Sequence, residues 1–164
     1  MPTFTAQKKV NLMKRFIYLI GVLLIAMACK EVFEAPPQAL LRASFYDSTS
    51  KKPIEPQITV QGVGRDSLWA YNLKANNMLL PLTNKDTTLF IIWLDSKSDS
   101  LIFTHETTKK YASMETGFYY EHKLKSVRFT SSRIDSLIII DSLVTTKWNE
   151  NIKLYINSLP VSDN

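Results

Sequence analysis

Cysteine occurs once among the 164 residues, histidine twice and glycine four times. A lone cysteine excludes an intramolecular disulfide, even in an oxidising compartment, so the fold must hold together by burial. The sequence contains no G-x-S-x-G elbow, no H-E-x-x-H, no phosphate-cradling Walker loop and no G-x-G-x-x-G. His105-Glu106 and Glu121-His122 are the pairs that invite a metal reading, yet neighbours on a strand point to opposite faces and cannot chelate together. Histidines meeting across strands would supply two ligands and still need a third. No catalytic residue, metal or cofactor is therefore expected, and the chain reads as non-enzymatic.

Long apolar runs are lacking too. Phe16 to Ala28 is a stretch of thirteen uncharged residues, which as a helix covers about 20 Å of a roughly 30 Å hydrocarbon core. Lys8, Lys9, Lys14 and Arg15 precede it, and Ala26, Met27 and Ala28 lead into Cys29, with Lys30-Glu31 directly after. A basic flank, a short apolar stretch and a small-residue exit are the parts of a secretory signal. The segment resembles a bacterial lipoprotein signal, in which the cysteine is lipidated and becomes the mature N-terminus. Ala26 stands where that pattern most often has leucine. Residues 1–28 are accordingly expected to form a signal-peptide helix, 29–38 a lipidated tether stiffened by Pro36-Pro37, and 39–164 the folded domain. Met13 is an alternative start.

This reading changes the charge balance. The four basic residues before Cys29 leave, so 16 Lys and Arg face 15 Asp and Glu, a net charge of +1. The pI near 9.3 belongs largely to the leader, no basic patch remains, and nucleic acid is not an expected partner.

Beyond the tether no 3.6-residue period is sustained, and β-branched and aromatic residues are abundant. Period-two alternation or apolar runs mark Ala39–Tyr46, Gln57–Gln61, Ser67–Asn72, Met78–Leu82, Thr87–Leu94, Ser100–Thr107, Gly117–Thr130, Ile134–Ile140 and Ile152–Ile156. Pro81 marks an edge strand or strand end. Thr87–Leu94 is apolar on both faces and is expected to be central, with Ile91 and Trp93 buried. The Asp95–Asp99 loop predicts an antiparallel hairpin with the next strand. In Gly117–Thr130, Phe118, Tyr120, His122 and Leu124 share a face before Val127 and Phe129 take over the other, which predicts a bulge near Lys125-Ser126. The fold class is all-β: an antiparallel β-sandwich of about eight or nine short strands, with a small β-barrel as the alternative.

Aromatic residues are the candidates for binding, since rings stack on sugars and anchor protein interfaces. Trp148 lies in a polar turn, and Tyr119 faces away from Phe118 and Tyr120, so Trp148 and Tyr119 are the ligand-facing candidates. Seven of the eight aspartates after Cys29 are followed by Ser or Thr. Turn chemistry favours such pairs. Six of them also resemble an O-glycosylation acceptor triplet of exported Bacteroidetes proteins, which implies Ser48, Ser67, Thr87, Ser100, Ser136 and Ser142 as acceptors.

The stretches ALLRASFYDS, ANNMLLPLTNKDTT, DSLIFTHE, TGFYYEHKLKSVRF and NENIKLYI resemble a group of small Bacteroidetes envelope lipoproteins of unknown function. Thr116-Gly117 stands where members often carry cysteine-glycine, and the second cysteine that often follows the lipidated one is missing, so no family disulfide carries over. The resemblance implies a lipid-anchored outer-membrane protein with an all-β domain and supplies no activity. Lys30, Glu31 and Glu34 resemble the charged tag of surface-exported members, and either face of the membrane stays open. A binding or assembly module with an envelope protein partner is the expected function, with a surface glycan-binding accessory as the alternative.

Overall fold

Alternation along the chain resolves into ten strands and, among the described residues, no helix. A computed structural model describes residues 35–64 and 68–158; Cys29 and Ser67 lie outside them. The strands are β1 (Leu40–Asp47), β2 (Gln57–Gly62), β3 (Leu68–Lys74), β4 (Asn77–Pro81), β5 (Thr87–Leu94), β6 (Lys97–Ser113), β7 (Gly117–Phe129), β8 (Ile134–Ile139), β9 (Leu143–Val144) and β10 (Glu150–Ile156).

They form a four-stranded sheet in the order β4-β1-β10-β8 and a six-stranded sheet in the order β3-β2-β5-β6-β7-β9. The inward residues of both sheets make one core. Leu41, Ala43 and Phe45 of β1 and Ile152, Leu154 and Ile156 of β10 meet Ile58 and Val60 of β2, Phe90, Ile92 and Leu94 of β5, and Leu101 and Phe103 of β6. Each such aliphatic or aromatic side chain contributes about 1.5–3 kcal/mol through burial. The expected sandwich is thus present, with one departure: β1 and β10 pair in parallel. Between Arg42 and Ala43 the register slips past Asn151. The buried Asn151 side chain accepts the Arg42 N–H (3.0 Å) and donates to the carbonyls of Asp141 and Leu143. The Asn151 side chain thus bonds through both its amide oxygen and its amide nitrogen at the bulge.

Two expectations about β5 and β6 need correction. The core face of β5 is Thr88, Phe90, Ile92 and Leu94, while Ile91 and Trp93 are half-buried on the outer face. An all-apolar strand offers no parity from which to choose. The expected loop is only a two-residue turn, with Leu94 opposite Lys97. Asp95 and Ser96 both hold positive φ, at 47° and 75°, as the primed hairpin turns require. The predicted bulge is present: Thr104 pairs with Ser126 and His105 with Leu124, leaving Lys125 unpaired. Pro81 ends β4, an edge strand, as expected.

A buried carboxylate fastens the far end of the hairpin. Asp99 accepts the backbone N–H groups of Ser132 (2.7 Å), Arg133 (2.7 Å) and Ile134 (3.0 Å) and the Thr130 hydroxyl (2.8 Å). Arg133 is itself buried and donates to Asp95 at 2.7 Å. The segment leading into β8 is therefore tied to the β5–β6 turn.

Candidate functional site

On its β5 side the β6 ladder ends at Thr104, opposite Thr87, with one further bond from the His105 N–H to the Asp86 carbonyl at 2.9 Å. β9 flanks β7 at His122 and Lys123, and beyond that the β6–β7 pair continues as two strands to Ser113 and Gly117. Its inner face continues the core face: His105, Thr107, Lys109 and Tyr111 on β6 face Leu124, His122, Tyr120 and Phe118 on β7. The first pairs are buried between the sheets and the last are not, since Tyr111 and Phe118 are exposed. A groove of about 350 Å³ opens here, lined by Trp69, Phe118, Tyr119, Tyr120 and His122 on one sheet, by Leu40, Pro81 and Leu82, and by Pro36, Pro37 and Gln38 of the tether.

One lining residue of the groove, His122, belongs to a polar network among less exposed side chains. His105 and His122 meet edge to face with ring centroids 4.9 Å apart. Thr107 Oγ1 lies 3.0 Å from His122 Nδ1 and 3.4 Å from His105 Nδ1, and His105 Nε2 lies 2.9 Å from Thr88 Oγ1. The Thr83 N–H donates to Thr88 Oγ1 at 2.9 Å. Two proton arrangements satisfy this chain. In one, Thr88 O–H donates to His105 Nε2, His105 Nδ1–H to Thr107, and Thr107 O–H to His122 Nδ1. In the reverse, His122 Nδ1–H donates to Thr107, Thr107 O–H to His105 Nδ1, His105 Nε2–H to Thr88, and Thr88 O–H to Thr83 Oγ1. Both rings are then neutral, and His122 Nε2 is left without a protein partner among the described residues. Burial, with His105 adding to it, pushes the His122 pKa down to about 4. Burial also lowers His105, against a smaller upward pull from the Asp86 charge. Neutral, mutually bonded histidines suit a structural role or a hydrogen bond to a ligand. Among the described residues no group of three or more His, Cys, Asp or Glu side chains is placed to hold a metal.

Of the two ring candidates, Tyr119 is among the residues lining the groove and Trp148 is not. Trp148 is exposed in its turn, at a φ of 51°, but its Nε1–H is committed to the Gln38 carbonyl at 2.8 Å. It fastens the segment just before β1 and stays partly exposed. Tyr119 is half-buried, and Phe118 is the exposed ring; the uncovered end of the hairpin exposes the inner face rather than the outer. Trp69, whose Nε1–H donates to the Leu79 carbonyl, joins the edges of the two sheets. Sequence parity brought the histidines to one face; the curl that brings β3 near β7 has no counterpart in any local pattern.

A second cleft, of about 430 Å³, lies on the outer face of the six-stranded sheet, lined by Gln57, Thr59, Leu68, Tyr71, Asn72, Trp93 and Ser96.

The Asp-Ser/Thr positions fall into two groups. Thr87 is exposed at the start of β5, Ser48 follows β1, and Ser142 precedes β9. Ser100 and Ser136 lie inside β6 and β8 rather than at loop-to-strand junctions. The aspartates themselves have backbone partners: Asp47 accepts the N–H groups of Thr49 and Ser50, Asp141 that of Leu143, and Asp99 the three already named. Turn and junction chemistry thus accounts for much of the recurring pair.

The model of a family of unknown function (DUF6452) matches residues 57–156. No curated protein and no solved structure matches the chain.

Proposed function

The chain belongs to the DUF6452 family, whose description assigns no activity, and we propose that it is a lipid-anchored envelope lipoprotein whose domain is a non-enzymatic binding or assembly module. The observation that carries this is the ring-lined groove at the tether end of the domain. Its rings come from different elements, Trp69 on β3 and Phe118 to Tyr120 on β7. They wall a groove instead of forming one flat row, which suits a protein segment. The signal-like segment before Cys29 supports the anchor and, with it, attachment to the outer membrane. A photo-crosslinking residue at Tyr119, introduced in the native envelope, is expected to give one discrete protein adduct that the same residue at Ser50 does not give. Absence of any adduct would sink the binding role. Separately, Cys29→Ser is expected to leave an unprocessed or soluble chain. Mature, membrane-bound Cys29→Ser would refute the anchor. Protease treatment of intact cells assigns the face, complete protection meaning a periplasmic orientation.

A surface glycan is the second reading, favoured by the outer cleft. Tyr71 is 77% exposed, and Trp93 lines the same cleft with the amides of Gln57 and Asn72, a ring-and-amide combination that suits a sugar. Retarded migration in polysaccharide gels, lost in Tyr71→Ala, would favour it over the protein partner. O-glycosylation belongs to the same envelope reading, and Thr87 is its most accessible described acceptor. The intact mass of the native chain is expected to exceed that of cytoplasmically made chain by more than the lipid; equal masses would exclude the modification.

A further inference from the structure

The free end of the β6–β7 hairpin is built unlike the rest of the domain. An isolated two-stranded ribbon is marginal in water, and its apolar face needs cover. Here nothing among the described residues covers it. Tyr111 and Phe118 pack edge to face at 5.4 Å, yet are 58% and 53% exposed, and Met114 in the connecting turn is 91% exposed. Lys109 Nζ sits 4.1 Å from the Phe118 ring centroid, and the exposed Lys110 follows it, against Glu115 in the turn. Amphipathic rings, an unbranched apolar side chain and lysines with long apolar stems are the components that settle at a membrane-water interface.

The tether indicates which surface is near. Pro36, Pro37 and Gln38 line the same groove as Phe118, Tyr119 and Tyr120, and Trp148 holds the Gln38 carbonyl beside it. Five residues separate Cys29 from Ala35, a reach of at most about 22 Å. Asp47 to Ser50 lies at the opposite end of β1 from the tether, too distant for such a span to bring against the same surface.

We propose that the end of the β6–β7 hairpin, Tyr111, Met114 and Phe118 with Lys109 and Lys110, rests in the headgroup region of the lipid bilayer that carries the anchor. This rests on the lipoprotein reading of Cys29. The lipid and the hairpin then hold the domain at two points, which fixes its orientation, and the groove opens beside the membrane surface. A partner in that groove would have to be an envelope component lying close to the bilayer.

The test uses the full chain, purified after export and reconstituted in phosphatidylethanolamine and phosphatidylglycerol vesicles. Lipidation of Cys29 makes an engineered cysteine the single free thiol of the mature protein. Met114→Cys and, as control, Ser50→Cys each receive an environment-sensitive fluorophore, and both residues are exposed, so neither change disturbs the core. Intact mass first establishes the lipid on Cys29. Blue-shifted emission at position 114, with several-fold stronger quenching by nitroxide-labelled lipid than at position 50, is the expected result. Adding Tyr111→Ser and Phe118→Ser to the Met114→Cys chain should reduce that quenching severalfold. A water-like signal at 114, or equal quenching at both positions, overturns the hairpin contact and leaves the anchor standing. A mature chain without lipid on Cys29 removes the anchor and the hairpin contact together.

Discussion

His105 and His122 share Thr107: its hydroxyl oxygen lies within 3.4 Å of both Nδ1 atoms, while the rings meet edge to face at 4.9 Å. Burial disfavours a charge on either ring, which makes the domain sensitive to acid. An unfolded histidine binds a proton near pH 6.5, whereas burial holds both folded pKa values lower, that of His122 at about 4. Between those limits the unfolded chain carries more protons, so stability is full above about pH 6.5 and falls as the pH drops toward 4. Melting temperature measured across this range should fall, and a His105→Gln/His122→Gln variant should flatten the slope. A wild-type profile that stays level from pH 7 to 4 would contradict the buried pair. Losses from Asp47, Glu106 and Glu115, whose carboxyl pKa values are lowered, belong to lower pH.

The two faces of β5 should respond differently to charge. Ile92 is fully buried, and Ile92→Asp places an unpaired carboxylate in the core, a cost that exceeds what a domain of this size can absorb. Ile91 is half-buried on the outer face, and Ile91→Asp should fold with a loss of about 1 kcal/mol. Circular dichroism melts separate the two; equal destabilisation would reverse the assignment of faces.

Asp99→Ala should be among the most damaging polar substitutions. It leaves three backbone donors at the entry to β8 without their acceptor, and hydrogen bonds to a charged group are each worth about 1.5–3 kcal/mol. A loss of at least about 3 kcal/mol is expected from the urea midpoint, at an unchanged slope. Thr130→Val removes only the hydroxyl partner and should cost about 1 kcal/mol.

Ser96→Gly should stabilise. Ser96 is exposed and holds a φ of 75° in the β5–β6 turn, a region that costs a non-glycine residue about 1–2 kcal/mol, less what glycine loses in backbone entropy. A gain of about 0.5–1 kcal/mol in denaturant unfolding is the expected net effect. A lower midpoint would show that the Ser96 side chain makes a needed contact.

Strand parity carried much of the fold into the sequence. Leu101, Phe103 and His105 alternate because one face of β6 is buried, and the parity slip at Lys125 was legible because His122 and Val127 cannot share a face without it. Parity fails where both faces are apolar, so Thr87–Leu94 gave no means of choosing Ile92 over Ile91. It fails again where neither face is covered. Thr108 to Ser113 carries no strand pattern in sequence because β5 no longer flanks it, though its backbone ladder with β7 continues. The turn at Asp95-Ser96 lacked the glycine that usually announces a primed hairpin. In the candidate site, the facing of His105 and His122 could be inferred from their strands. The approach of Trp69 and the prolines to Phe118 depends on sheet curl, which no local pattern encodes.

The parallel pairing of β1 with β10 sets a waiting time. β1 has two neighbours in its sheet, β4 and β10, and β8 has β10 alone. Until residues 150–156 are available, the first strand has one open edge and β8 has no partner within its sheet. A chain delivered from its N-terminus, by a ribosome or across a membrane, exposes β1 first and β10 last of the ten. The hairpins β2–β3 and β5–β6–β7 can form on the way, but the sheet opposite them cannot close. The domain therefore stays threadable through most of its delivery and locks in one late step, and a truncation that removes β10 would leave two edges open rather than one shorter domain.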